Sequence, residues 1–327
     1  MPIHLPTPCQ DLLDLQHGVI ARWQAAQAGL NVRTVDAWLR SGRWQRLYDG
    51  VYATYTGRPP RRAVLWAGVL RAGAGAALGY HTAAEVDGLA DRPVDAVHVI
   101  VSSSRRVVLA AQERGRGMPL VVVHYSAKIG TAIHPSRTPP RTRIEETTLD
   151  LTQSAPNLDE AITWLARACS RRLVTAEALL AAIQMRSKLR WRTELTDALS
   201  DIRDGVHSVL EWRYVRGVER PHGLPRAKRQ ALSRVGQRTR YLDNRYPEFG
   251  VAVELDGQAA HPAEARWHDI HRDNASAGAG IVTLRYSWAD VTDDPCRVAA
   301  EVAQVLQLRG WTGRLRPCGP RCTATFP

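Results

Sequence analysis

Apolar and polar positions alternate most regularly at the end of the chain's third quarter. Val251, Val253 and Leu255 interleave with Ala252, Glu254 and Asp256. A period of two predicts a strand with one apolar face and one acidic face. The run Tyr241-Leu242-Asp243 just ahead predicts its hairpin partner. Near the start, Leu12, Leu13, Leu15, Val19 and Ile20 begin a helical pattern, and Arg22 to Ala28 continue as a second short helix. Gly29 breaks it, and Asn31 caps a third helix reaching Arg40. Asp49-Gly50 between two apolar-alternating runs, Trp44–Tyr48 and Val51–Ala53, predicts a hairpin. Farther on, helices are expected over 61–72 and 83–89 and strands over 97–101 and 119–124. Thr82 and Glu85 read as a capping box, which gives His81 a structural place. Residues 151–203 read as helical core and connector. A helix over 207–219, a polar loop over 221–229, the acidic hairpin, a helix over 264–277, a strand over 281–286 and a helix over 297–308 complete the chain.

Helix, helix, glycine turn, helix and a two-stranded wing form the outline of a winged helix-turn-helix. In that outline the Asn31–Arg40 helix is the recognition helix. Arg33, Thr34, Ala37 and Arg40 would face a major groove, and Arg43 and Arg46 would reach phosphate from the wing. A protein-contact module is the other use of such a unit.

Composition sharpens this. Lys and Arg number 44 against 32 Asp and Glu, a formal net charge of +12, which favours a polyanion and most simply double-stranded DNA. An arginine-rich solvated surface is the blander account. No run of apolar residues is long enough to span a membrane and the N-terminus lacks a signal-peptide build, so a cytoplasmic protein with no membrane partner is expected. Five scattered cysteines fit a reducing compartment better than a disulfide framework. Cys318 and Cys322 are spaced as half of a zinc site, with no second pair nearby, and read as free thiols on a basic tail.

The acidic hairpin is electrostatically costly. Carboxylates gathered on one face repel and raise one another's pKa unless a cation holds them, and hard oxygen donors suit Mg²⁺ or Mn²⁺. Glu211 on the preceding helix and His261 just beyond the hairpin enlarge the set. His268 and His271, flanking Asp269, read instead as a polar helix face.

Two resemblances follow from these residues. The frame from Gly29-Leu30 through Leu39-Arg40-Ser41-Gly42-Arg43-Trp44 to Gly50-Val51-Tyr52 resembles the N-terminal winged helix of AbiEi-type antitoxins, transcriptional autoregulators of toxin–antitoxin systems. Glu211, Asp243, Glu254-Leu255-Asp256-Gly257, His261, Asp269, Arg272-Asp273 and Leu284-Arg285-Tyr286 resemble the DUF559 family, related to very-short-patch-repair endonucleases of the PD-(D/E)XK superfamily. The second resemblance implies Glu211, Asp243 and Glu254 as metal ligands. Asp256 stands where most of the superfamily has lysine, His261 would activate water or protonate the leaving group, and Arg272 would clamp the phosphate. The expected fold class is an α+β N-terminal part with a winged helix-turn-helix, joined to an α/β restriction-endonuclease-like domain. The expected boundaries are 1–57, 58–203, 204–312 and a basic flexible tail over 313–327. The function implied is a metal-dependent DNA endonuclease of bacterial defence, toxin–antitoxin or repair systems, with a cognate toxin or defence protein as a further partner. The alternative is an AbiEi-type autoregulator or antitoxin whose nuclease fold is catalytically degenerate.

Overall fold

The computed structural model describes residues 5–107, 117–204, 206, 208–235, 238–256, 278 and 280–324. It is a mixed α/β protein that divides into two compact units, Met1–Ala155 and Pro156–Pro327. Among the described residues no helix is long and apolar enough to cross a membrane.

The first unit opens with α1 (Thr7–Leu15), β1 (Val19–Ala21), α2 (Arg22–Gln27), α3 (Val32–Arg40), β2 (Gln45–Tyr48) and β3 (Val51–Ala53). The strands form an antiparallel sheet in the order β1-β3-β2. The third helix starts where expected, because the Asn31 side chain accepts the Arg33 amide at 2.9 Å. Gly50, at φ +69°, makes the turn that joins β2 to β3. Val19 and Ile20, expected to be helical, lie instead in β1. The preceding helix is stopped by His17 (φ 54°) and Gly18 (φ 76°), whose amide bonds back to the Leu13 carbonyl at 2.7 Å. Beyond that stop, every residue of β1 is buried, so the strand shows no alternation in sequence.

Both faces of this small sheet are covered. Ile20 and Tyr52 pack with Cys9, Leu13, Leu30, Val35 and Trp44 of the helical layer. On the other face Val19, Ala21, Val51 and Ala53 join α4 (Arg61–Ala72) in a core that extends to Val97, Val99 and Val101. That core belongs to a second sheet of β4 (Ala77–Leu78), β5 (Val97–Ser102) and β6 (Val121–Ser126), in which β5 and β6 run parallel. Helix α5 spans Tyr80–Val86. The capping box expected of Thr82 and Glu85 is not made. Thr82 lies inside the helix, where its hydroxyl accepts the His98 amide at 2.9 Å, and Glu85 forms a bidentate pair with Arg61 at 2.8 and 2.6 Å. Short α6 (Ile129–Ala132) and α7 (Ile144–Ser154) complete the unit.

The second unit begins with three helices, α8 (Leu158–Ser170), α9 (Ala176–Met185) and α10 (Arg192–Arg203). The helix expected over 207–219 is divided into α11 (Val209–Arg213) and a π-helical segment, Tyr214–Glu219. Then come β7 (Lys228–Val235), β8 (Arg238–Tyr246), β9 (Val251–Asp256) and β10 (Val282–Ser287), in the order β10-β9-β8-β7. Strand β7 begins inside the stretch expected as a polar loop. Among the described residues of this sheet, only β9 and β10 are parallel. A short helix α12 (Trp288–Asp293), capped by Ser287 and Asp290, and α13 (Pro295–Leu308) close the fold. Val251 and Val253 pack on one sheet face with Tyr214, Val218, Val298 and Val302, whereas Ala252 pairs with Ile281 in a separate cluster.

Candidate functional site

Helix α11 and strands β8 and β9 bring acidic residues together. Ser208 caps α11, accepting the Glu211 amide at 3.1 Å, and its hydroxyl donates to Glu211 Oε1 at 3.2 Å. Glu211 is only 5% exposed, so its carboxylate is held in a low-dielectric setting rather than in bulk water. Asp243 lies near the middle of β8, and its Oδ2 accepts the Leu255 amide at 3.0 Å. That bond fixes the carboxylate against β9 beside Glu254. The antiparallel pairing of β8 with β9 ends at Asn244 facing Val253, and Asp243 and Glu254 are the next residue along each strand. Glu211, Asp243, Leu255 and Trp288 line one pocket of about 590 Å³.

Strand β10 adds a basic residue that the sequence reading placed only within a strand motif. Arg285 is the parallel-register partner of Glu254, and Ser287 is that of Asp256. Adjacent residues at the same register height share a sheet face. Arg285 therefore lies on the same face of the sheet as Glu254. Trp288 forms one wall of the pocket, with the Arg213 guanidinium 5.4 Å from its ring centroid and bonded to Asp159 at 3.0 and 2.5 Å. Ser208 and Arg285 carry different signals in sequence. The Ser-x-x-Glu spacing of 208–211 marks a cap, but the pairing of Arg285 with Glu254 depends on a parallel register set by non-local contacts. The Asp256 side chain, His261, Asp269, Arg272 and the histidines 268 and 271 lie outside the described residues.

Below the pocket the sheet rests on buried polar groups. The Tyr214 and Tyr246 hydroxyls share a hydrogen bond of 2.9 Å, and burial pushes both phenols well above their usual range. Glu219 is paired with Arg229 at 2.9 Å and accepts the Ala227 amide at 3.1 Å. Burial pushes its carboxyl upward, against the opposing pull of Arg229.

In the first unit, most of the positions read as DNA-facing are exposed arginines. Arg33 and Arg40 on α3, Arg43 in the following turn and Arg46 on β2 are exposed, while Thr34 is half-buried. Val35 and Trp44 anchor this layer to the core beneath, and the Trp38 and Trp44 ring centroids are 4.7 Å apart. The buried side of α3 is thus fixed, leaving its arginines on the outer side. No protein-family model matches the chain, and no curated protein does.

Proposed function

We propose that the protein is a DNA-binding endonuclease whose second unit hydrolyses phosphodiesters with Mg²⁺ or Mn²⁺. The observation that carries this reading is the convergence of Glu211 and Asp243 on one pocket, with Glu254 one residue beyond the end of the β8–β9 pairing that Asp243 also adjoins. An all-oxygen carboxylate donor set fits a hard divalent cation. Glu211, Asp243 and Glu254 would hold it, and when bound it would neutralise charge on the phosphate and lower the pKa of a water. Under this proposal Arg285 balances charge next to Glu254, His261 exchanges a proton with water or with the leaving oxygen, and Arg272 grips the phosphate. Asp256 takes the place of the lysine usual in such sites. A PD-(D/E)XK core of DUF559 type and an AbiEi-like winged helix belong to the same proposal.

Plasmid DNA provides the test. The intact chain should nick or linearise it with Mg²⁺ or Mn²⁺, and EDTA or Asp243→Asn should abolish the cleavage. Intact plasmid across both metals would count against hydrolysis. The exposed arginines of α3 and the wing favour a second reading, in which the chain is an AbiEi-type autoregulator or antitoxin with a cognate toxin. That reading expects a footprint on its own promoter that is lost in Arg33→Ala or Arg40→Ala and kept in Asp243→Asn.

A further inference from the structure

The sequence offers Cys318 and Cys322 as an isolated pair, and the fold completes them from two distant places. His222 lies in the turn after the π-helical segment, and Cys296 is the second residue of α13. The ligand atoms of His222, Cys296, Cys318 and Cys322 all lie within 4.8 Å of one another. Cys296 Sγ is 3.6 Å from Cys318 Sγ and 3.8 Å from Cys322 Sγ, and Cys322 Sγ is 3.6 Å from His222 Nε2. Metal–sulfur bonds of ~2.3 Å and a metal–nitrogen bond of ~2.0 Å, set tetrahedrally, give edges of roughly 3.8 Å between sulfurs and 3.5 Å from sulfur to nitrogen. These three separations match those edges. They are far longer than the ~2.05 Å of a disulfide, and all the thiols are free.

The histidine is prepared for ligation. Its ring is fully buried, and Nδ1 lies 3.0 Å from the Val218 carbonyl. With the proton on Nδ1 and donated to that carbonyl, Nε2 presents its lone pair to the thiols, the arrangement that orients metal-bound imidazoles. The chain segment after α13 is positioned to match. The Arg316 amide donates to the His222 carbonyl at 2.8 Å, and Leu315 is buried in the core. Gly223, at φ +69°, admits this approach, since a Cβ there would come within 3.1 Å of the Arg316 side chain. A turn closed by the Cys322 amide on the Gly319 carbonyl, 3.1 Å, then folds Cys322 back beside Cys318.

We propose that His222, Cys296, Cys318 and Cys322 bind one Zn²⁺, which pins the C-terminal segment to the π-helix turn and to the start of α13. Three thiolates and an imidazole close a four-coordinate shell and leave no position for substrate, so the metal is structural. Three thiol protons pass to solvent as it binds. The soft donors separate this centre chemically from the all-carboxylate pocket, and the inference is independent of the hydrolytic reading.

The test uses the full chain purified under reducing conditions and dialysed without chelator. Elemental measurement should find one equivalent of zinc. Exchange for Co²⁺ should give the intense visible bands of a tetrahedral ion together with thiolate-to-metal charge transfer. Cys318→Ser and Cys322→Ser should lose the equivalent, while Cys169→Ser and Asp243→Asn keep it, and stripping the metal should lower the melting temperature. If the ligand variants do not fold, the Co²⁺ spectrum of the unaltered chain decides. A chain that retains no zinc, a Co²⁺ spectrum without thiolate charge transfer, or zinc retained in Cys322→Ser would overturn the assignment.

Discussion

The Asp243 carboxylate accepts the Leu255 amide while bordering the acidic pocket, so substituting it can mix a structural loss with a chemical one. Asparagine separates the two. It keeps an oxygen for the Leu255 N–H and removes the charge. Asp243→Asn should therefore melt near the temperature of the unaltered chain while plasmid cleavage falls roughly a thousandfold, equivalent to ~4 kcal/mol of lost stabilisation. Asp243→Ala should lose about 1 kcal/mol of stability as well. The Glu219–Arg229 pair tests stability apart from catalysis. Both side chains are 2% exposed, so neither charge can fall back on water. Arg229→Met should cost about 3–5 kcal/mol in denaturant unfolding, because it strands Glu219, and Glu219→Leu in the same chain should recover most of that loss. A double-variant loss equal to the sum of the Arg229→Met and Glu219→Leu losses would mean that the pair is not coupled.

Elements differ in how far their sequence announces them. Helix α3 and the β2–β3 hairpin were legible because Asn31 and Asp49-Gly50 mark their ends locally. Strand β1 was not, since a fully buried strand has no alternation and the Leu-rich helix before it runs up to the same apolar residues. Strand β7 hid for the opposite reason. Lys228–Val235 reads KRQALSRV, and backbone pairing to β8 leaves no hydrophobic period behind. The β5–β6 pair carries a property that no periodicity reveals. His98 Nδ1 and His124 Nε2 lie 2.9 Å apart, and Tyr80 stacks on His124 with ring centroids 3.7 Å apart. Burial, then the charges of His98 and His81, lower His124 from 6.5 to about 4, and burial also lowers His98. Between those two values the unfolded chain binds the extra proton at His124, so the stability its neutral form supplies is full above pH 6.5 and is lost as pH falls toward 4. The loss should be on the order of 2 kcal/mol after allowance for partial solvent access. His124→Gln keeps a polar partner for His98 without titrating, and its stability should fall less steeply over the same window in unfolding measured at successive pH values. An unchanged slope would remove His124 from the account.

At the scale of the whole molecule, Glu211, Asp243 and Glu254 stand out in the sequence, whereas the grouping of His222, Cys296, Cys318 and Cys322 does not. Asp243 and Glu254 flank one hairpin, and Glu211 lies on the helix ahead of it. The ligands of the second centre are spread over 100 positions and meet only through the packing of the second unit. The net charge of +12 belongs to neither centre, and its expression on DNA depends on where the arginines face. Arg33, Arg40, Arg43 and Arg46 are exposed around α3 and the β2–β3 hairpin. If they neutralise phosphates, each releases condensed counterions, and the slope of log affinity against log salt grows by ~0.9 for every phosphate engaged. Duplex binding followed by fluorescence anisotropy without divalent metal, from ~50 to ~200 mM salt, should weaken steeply. Arg33→Ala together with Arg40→Ala should flatten the slope by roughly 1.8, and Asp243→Asn should leave it unchanged. Should the double arginine variant keep both slope and affinity while the chain still cleaves plasmid, the first unit would not be holding the DNA. The second unit would then have to supply the phosphate contacts as well as the chemistry.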